Sequence, residues 1–379
     1  MEKKNVNTLR KCFVFGSLYF SEGISSAISS VVLPLYLAHL GFPAGIVGLA
    51  MSVTTIPWVI KIAWGLLVDE FSHFGRRNFI LAGGIIGAAM NLLMFALHPS
   101  FLPLIVALIF IARCGVATLD VSTDAFAISI SKPHERGKIN GSQFAGQLLG
   151  YAFGSVYLTR LTSISYPVAF FGAAMFILMF TSTVFLLKEV KIKPSLGKLK
   201  EVFASKHIWL VILAIVLINL PTGFLGIAAY YMKTALALKE EIVGNIMMIA
   251  GVINALGSFA GGALSDKYGR VKVLYVVLLL FAISIAPAYF DFLPFYMLNA
   301  FFSGAIASVL CAYCMDITRK EIAATEYAVF TSVANLGWVI GMMPSGYILE
   351  LAGNWLFIVA AVSVVPALFA LRILKKVPQ

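Results

Sequence analysis

Twelve apolar runs, each about 20 residues long, begin near residues 12, 44, 78, 102, 138, 166, 207, 241, 272, 293, 326 and 353 and are joined by short polar connections. Coiled as a helix, a run of that length crosses ~30 Å of hydrocarbon. Hydrocarbon offers no water to backbone N–H and C=O groups, so each run must close its own hydrogen bonds, which a helix does. The expected fold is an all-α membrane protein with twelve transmembrane helices. Composition agrees, with 60% of residues hydrophobic against roughly 45–50% in soluble domains.

The net charge of +11 does not point to nucleic acid, whose binders gather Lys and Arg on one soluble face. Of the 28 Lys and Arg, 23 fall in connections on one side of the spans. Three (Arg160, Lys233, Lys239) fall on the other side, and two (Lys61, Arg113) lie inside spans. By the positive-inside rule the rich side, with both termini, is cytoplasmic. This predicts a multi-pass protein of the plasma (cell or inner) membrane. The first run contains Glu22 and lacks a small-residue cleavage site, so it reads as a retained span rather than a leader. Cys12, Cys114, Cys311 and Cys314 read as small packing hydrophobes. The Cys-x-x-Cys pair has no second pair to complete a metal site, and the five His and scattered Ser form no nucleophile–base arrangement. No metal, cofactor or enzyme activity is expected.

A charged turn occurs twice. Gly65-x-x-x-Asp69 is followed by Gly75-Arg76-Arg77, and Gly262-x-x-x-Asp266 by Gly269-Arg270. The aspartates are 197 positions apart and the turn glycines 194, so the first copy carries three extra residues. A motif repeated at half the chain length indicates parallel repeats. The expected domains are a six-helix bundle over 1–187, a cytoplasmic linker over 188–206 and a second six-helix bundle over 207–379. In the linker, Leu196, Leu199, Val202 and Phe203 at helical spacing among lysines suit either a short interfacial helix or a solvated connection. Gly146 and Gly150 in span five match Gly337 and Gly341 in span eleven, 191 positions on. Small residues four apart permit close helix approach, which marks these spans as expected contacts between the halves.

Two six-span halves, each with this turn between its second and third spans, resemble the major facilitator superfamily. Within it the chain is similar to the AmpG-type permeases and acetyl-CoA transporters. The residues that carry the likeness are Tyr19-Phe20-Ser21-Glu22-Gly23, Pro57-Trp58 with Lys61 and Trp64, Asp120-Val121-Ser122-Thr123-Asp124, Glu135-Arg136-Gly137, Thr325-Glu326-Tyr327 and Asn335-Leu336-Gly337. Leu119 departs from the family's glutamine. The resemblance implies a secondary transporter, commonly proton-driven, for a bulky polar or amphiphilic solute.

An ionisable residue inside a span costs roughly 2.5–3.5 kcal/mol or more and marks a pathway or a pair. Glu22, Lys61, Arg113, Asp120 and Asp124 qualify. At ~100° per residue, Arg113, Asp120 and Asp124 share one helix face, within about 40°. In the resembled fold spans one and four line the central passage, which makes Arg113 and Glu22 either a permanent bridge or alternating partners that a substrate anion displaces. A guanidinium suits a carboxylate or phosphate. Asp120 is the candidate proton carrier, since leaving water favours a protonated carboxylate. Asp124 is a second candidate for that proton, but in the resembled fold the charged turns lock the halves together on the inside, which assigns Asp124 to a cytoplasmic gate with Gly65, Asp69, Gly75, Arg76, Arg77, Gly262, Asp266, Gly269 and Arg270. Lys61 either pairs with Asp120 or Asp124 or snorkels to the interface.

In the second half Asp316 and Glu326 border a cytoplasmic loop. Asn219, Thr222, Tyr230, Tyr231, Asn299 and Tyr313 are candidates to line a cavity, with helix packing as the competing role of each. Pro221 and Gly223 should interrupt span seven. The expected function is proton-coupled symport by alternating access, with an efflux antiporter and a transporter-like sensor without flux as alternatives. The expected partners are a small-molecule solute, protons and the lipid bilayer, with the chain acting as a monomer.

Overall fold

The computed structural model describes residues 2–131, 135–188, 206–318 and 323–375, without the side chains of 2–7, 69, 72, 136, 137, 206, 207, 323–325 and 373. The expected interfacial helix of the linker and the side chain of the gate residue Asp69 thus lie outside the described residues.

Among the described residues every regular element is helical, and eleven helices are long and apolar enough to cross a membrane. They are α1 (Thr8–His39), α2 (Ala44–Val68), α3 (Arg76–Leu97), α4 (Leu102–Ile130), α6 (Tyr166–Leu186), α7 (Ile208–Thr234), α8 (Glu240–Tyr268), α9 (Arg270–Tyr289), α10 (Phe292–Ile317), α11 (Glu326–Ala352) and α12 (Trp355–Arg372). The twelfth expected span, α5 (Arg136–Thr162), is a helix of 27 residues. It is long enough, but Gln143, Gln147, Ser155, Thr159 and Arg160 make it too polar to be counted with the others. Local chemistry sets several ends. Ser165 caps α6 by accepting the Val168 N–H at 3.4 Å, and Pro103 stands in the first turn of α4, where a missing N–H costs nothing.

Three spans change character along their length. α1 passes through a π-helical segment at Ile28–Val32. α2 breaks at Ile60, three residues after Pro57, whose ring removes an interior backbone donor. α7 gives way to a 3-10 turn at Phe224–Ile227 immediately after Pro221 and Gly223.

Contacts group the chain into two compact units whose borders differ from the sequence repeat. One comprises Met1–Tyr36, Ala63–Leu196 and Ala235–Met248; the other comprises Leu37–Ile62, Gly197–Thr234 and Ile249–Gln379. In the first unit a methyl group at Gly146 would strike the carbonyl of Gly16, and one at Gly150 that of Phe20. In the second unit Gly337 and Gly341 press on Val216 and Leu220 of α7. This corrects the expectation for the four glycines: they join span five to span one and span eleven to span seven, each within its own sequence half. Other small residues bring the sequence halves together. Gly48 of α2 meets Gly346 of α11 in the second unit, and Gly244 of α8 meets Ser155 and Thr159 of α5 in the first.

Candidate functional site

In the first unit α1, α4 and α5 meet on buried polar side chains. Gly146 and Gly150 let α5 lie directly on α1, and Gly23 of α1 abuts the Gln147 carbonyl. That approach carries two glutamines, one turn apart on α5, to carboxylates on the neighbouring helices. The Gln147 amide donates to Glu22 Oε1 at 2.6 Å, and the Gln143 amide donates to Asp124 Oδ1 at 3.0 Å. The Tyr19 hydroxyl donates to the same Asp124 oxygen at 2.5 Å. One carboxylate oxygen has lone pairs for both donors.

The charged stripe of α4 faces inward, with Arg113 7% and Asp120 1% exposed, and Glu22 on α1 is 3% exposed. Glu22 acts electrostatically on Arg113. Glu22, Asp120 and Asp124 all act on the Tyr19 hydroxyl, so one phenol stands among three carboxylates. Sequence reasoning had singled out the four charges. It missed Gln143 and Gln147, whose visible signal is their four-residue spacing beside Gly146 and Gly150. Tyr19 belonged to a family stretch but was not assigned a role.

The duplicated turn has the same backbone in both copies. Gly75 (φ 90°, ψ 137°) and Gly269 (φ 91°, ψ 141°) each precede the first residue of a helix. A side chain resists that positive φ, and around Gly269 nothing lies within 4 Å, so conformation rather than space requires glycine. The three extra residues of the first copy are a 3-10 turn, Ser72–Phe74. Arg270 ties the second copy together: Nε donates to Asp316 Oδ2 at 2.9 Å, and Nη1 donates to Ser265 Oγ at 2.7 Å and to Asp266. Asp316 near the end of α10 lies 192 positions after Asp124 of α4, the displacement expected of a repeat counterpart. Gly65 faces Val121 of α4, and Gly262 faces Ser308 of α10. Arg76 opens α3, and the Arg77 guanidinium lies 5.7 Å from the Phe185 ring. In the second unit the Lys61 ammonium stands 5.6 Å from the Trp58 ring.

Each of the six candidate cavity residues makes a hydrogen bond. Asn219 and Asn299 donate to carbonyls one turn back, Ile215 and Phe295. Thr222 donates to the Asn219 carbonyl. Tyr230 donates to the Phe42 carbonyl, Tyr231 to the Asn354 side chain and Tyr313 to the Leu374 carbonyl. Asn299 and Tyr313 are fully buried. Glu326, at the start of α11, is buried, and Asp316 is exposed.

The family model described as Major Facilitator Superfamily matches residues 15–230 and 211–379. The chain belongs to that superfamily of membrane transporters, and it is not an enzyme. It is 24% identical over 404 residues to "Putative transporter AmpG 4" of Rickettsia felis, covering 94% of this chain and 95% of the relative. It is also 24% identical over 393 residues to the anhydromuropeptide permease of Escherichia coli K12, covering 95% of this chain and 78% of the permease. Among solved structures the nucleoside transporter NupG superposes with a TM-score of 0.79 at 13% identity, over 97% of this chain and 99% of that one. That last likeness concerns the fold.

Proposed function

We propose that the chain is a proton-coupled symporter that moves a polar or amphiphilic solute by alternating access, with two six-helix bundles over 1–187 and 207–379 joined by a cytoplasmic linker. It works as a monomer in the plasma or inner membrane, with both termini in the cytoplasm, an orientation supported by the lopsided distribution of Lys and Arg. The observation that carries the reading is the polar set in one unit of buried Tyr19, Glu22, Arg113, Asp120 and Gln143 with half-buried Asp124 and Gln147. A structural core has little reason to bury two carboxylates and a guanidinium beside a third, half-buried carboxylate, because each buried charge costs several kcal/mol to desolvate.

The roles divide by chemistry. Arg113 receives an acidic group of the solute in exchange for Glu22, whose carboxylate the Gln147 amide holds in the meantime. Asp120 carries the proton. Asp124 is held by Tyr19 and Gln143 and belongs to the gate, as Asp316 does in the Arg270 cluster. The named cargo of the permease relative, an anhydromuropeptide, supports a solute that is both bulky and polar.

The test has two stages. Purified protein is screened for thermal stabilisation by amino-sugar peptides, nucleotide thioesters, sugars and drugs, because a bound solute raises stability by mass action. The stabilising solute is then followed into proteoliposomes with the proton gradient imposed in either direction. Arg113→Ala should abolish uptake, and Asp120→Asn should preserve exchange but remove accumulation. Normal uptake by Arg113→Ala would overturn the assignment, and uptake that occurs only when protons leave the vesicle as solute enters would make the protein an antiporter.

A further inference from the structure

We propose that α8, α9 and α10 hold an anionic phospholipid, with one acyl chain in an apolar groove and the phosphate on Lys272 at the groove's mouth. The groove has a volume of about 270 Å³, and apart from Tyr268 and Lys272 every residue lining it is apolar. Gly261 and Ala305, in mutual contact, hollow out its floor. Leu264, Val276 and Leu280 form its walls, each more than 40% exposed. These are membrane-spanning helices, so an open, all-carbon hollow there suits hydrocarbon and not water.

Length and charge choose the occupant. From Lys272 to Leu280 the groove follows α9 for ~12 Å, close to the depth of one leaflet of a ~30 Å core. Its mouth opens at the charged turn. There Arg270 is occupied by Asp266 and Asp316, so the positive charge presented outward is that of Lys272 and Lys267. Lys267 and Tyr268 stand as a cation over a ring, 5.2 Å apart. A long apolar slot ending in the Lys272 ammonium matches an acyl chain joined to a phosphate. In the proposed orientation the slot opens into the anionic cytoplasmic leaflet.

The other repeat lacks these features. At the 197-residue displacement of the aspartates, Gly261 corresponds to Trp64, and at the 194-residue displacement of the turn glycines, Lys272 corresponds to Asn78. A tryptophan replaces the hollow and an amide replaces the cation. A second hollow, which shares Phe301 and is lined besides by Ile253, Pro294, Phe295, Met297 and Leu298, carries no charged residue.

The measurement is native mass spectrometry of protein released from nanodiscs of equal phosphatidylglycerol and phosphatidylcholine, and it requires no transport. Wild type should retain phosphatidylglycerol about fivefold over phosphatidylcholine, the preference one lysine supplies at an anionic surface. Lys272→Ala should lose that preference and keep some of both lipids, whereas Ala260→Phe should fill the slot and retain neither. If Ala260→Phe does not fold, Val276→Phe on the exposed wall gives the same readout. Equal retention of the two lipids by wild type, an unchanged preference in Lys272→Ala, or a second copy of the chain found in place of lipid would each overturn the proposal.

Discussion

Two ion pairs of this molecule look alike on paper and differ in what they contribute. Lys11 Nζ meets Glu135 Oε2 at 2.9 Å with both side chains at or below 10% exposure. Lys11 also donates to the Ile130 carbonyl at 2.8 Å, and Thr8 donates to Glu135 at 2.7 Å. Asp266, by contrast, has a side chain 68% exposed where it meets Arg270. Removing one partner of a buried pair strands a charge and costs ~3–5 kcal/mol, whereas an exposed pair is worth ~0–1 kcal/mol. Glu135→Gln should therefore lower the denaturation midpoint strongly, and Asp266→Asn should barely move it, as thermal unfolding in detergent would show. Comparable shifts for the two variants would contradict this ranking. Lys11 and Glu135 were visible in the sequence only as a basic residue before span one and as part of a family stretch. No periodicity joins residues 124 positions apart, so their pairing needed the tertiary structure.

At the scale of elements, the close seating of α5 on α1 decides whether the polar cluster forms. Gly150 has no room for a methyl group against the Phe20 backbone, whereas nothing lies within 4 Å of a methyl at Gly141 on the same helix. Overpacking costs ~1–3 kcal/mol, and replacing an unencumbered helical glycine by alanine gains up to ~1 kcal/mol. Gly150→Ala should thus destabilise and reduce solute-induced stabilisation, while Gly141→Ala should be neutral or stabilising; the reverse order would separate the glycine contact from the site. The sequence disclosed the spans themselves, with starts within four residues of those observed, because their length and apolarity are local properties. The helix of α1 extends further back, to Glu2, through residues too polar to read as a span. The partners of the glycines were not local. Four-residue spacing says that a helix face is smooth, and it does not say which neighbour lies against it.

For the molecule as a whole, alternating access requires that contacts between sequence halves be breakable. The second unit seats α2 on α11: Gly48 touches Gly346, the Gly45 N–H donates to Glu350 at 3.1 Å, and the Asn335 amide donates to the Trp58 carbonyl at 3.4 Å. The first unit seats the start of α8 near the α5–α6 connection, where Ser163 donates to Glu241 at 2.7 Å and Tyr166 to Glu240 at 3.0 Å. Among the described residues these contacts combine close glycine approaches with side-chain hydrogen bonds. If they open during the cycle, Gly48→Cys with Gly346→Cys, in a chain whose four native cysteines are serine, should lose uptake on oxidation and regain it with reductant. Unchanged uptake by the oxidised, cross-linked protein would show that α2 and α11 stay together throughout. Duplication of the charged turn made the two-fold pattern legible from sequence; the crossing of α2 and α8 into the contacts of the opposite half was not, since a helix's own residues do not name the neighbour it packs on.

The 3-10 turn Ser72–Phe74 that separates the two copies of the charged turn leaves a lasting asymmetry. Its insertion brings Phe71, His73 and Phe74 into a small aromatic stack with Phe71 and Phe74 exposed, where the other copy presents only Lys267 and Tyr268. Both copies keep their arginines, but the first adds aromatic rings and the second a lysine and a tyrosine. A partner that recognises one copy of the turn by these side chains will not find the same chemistry at the other.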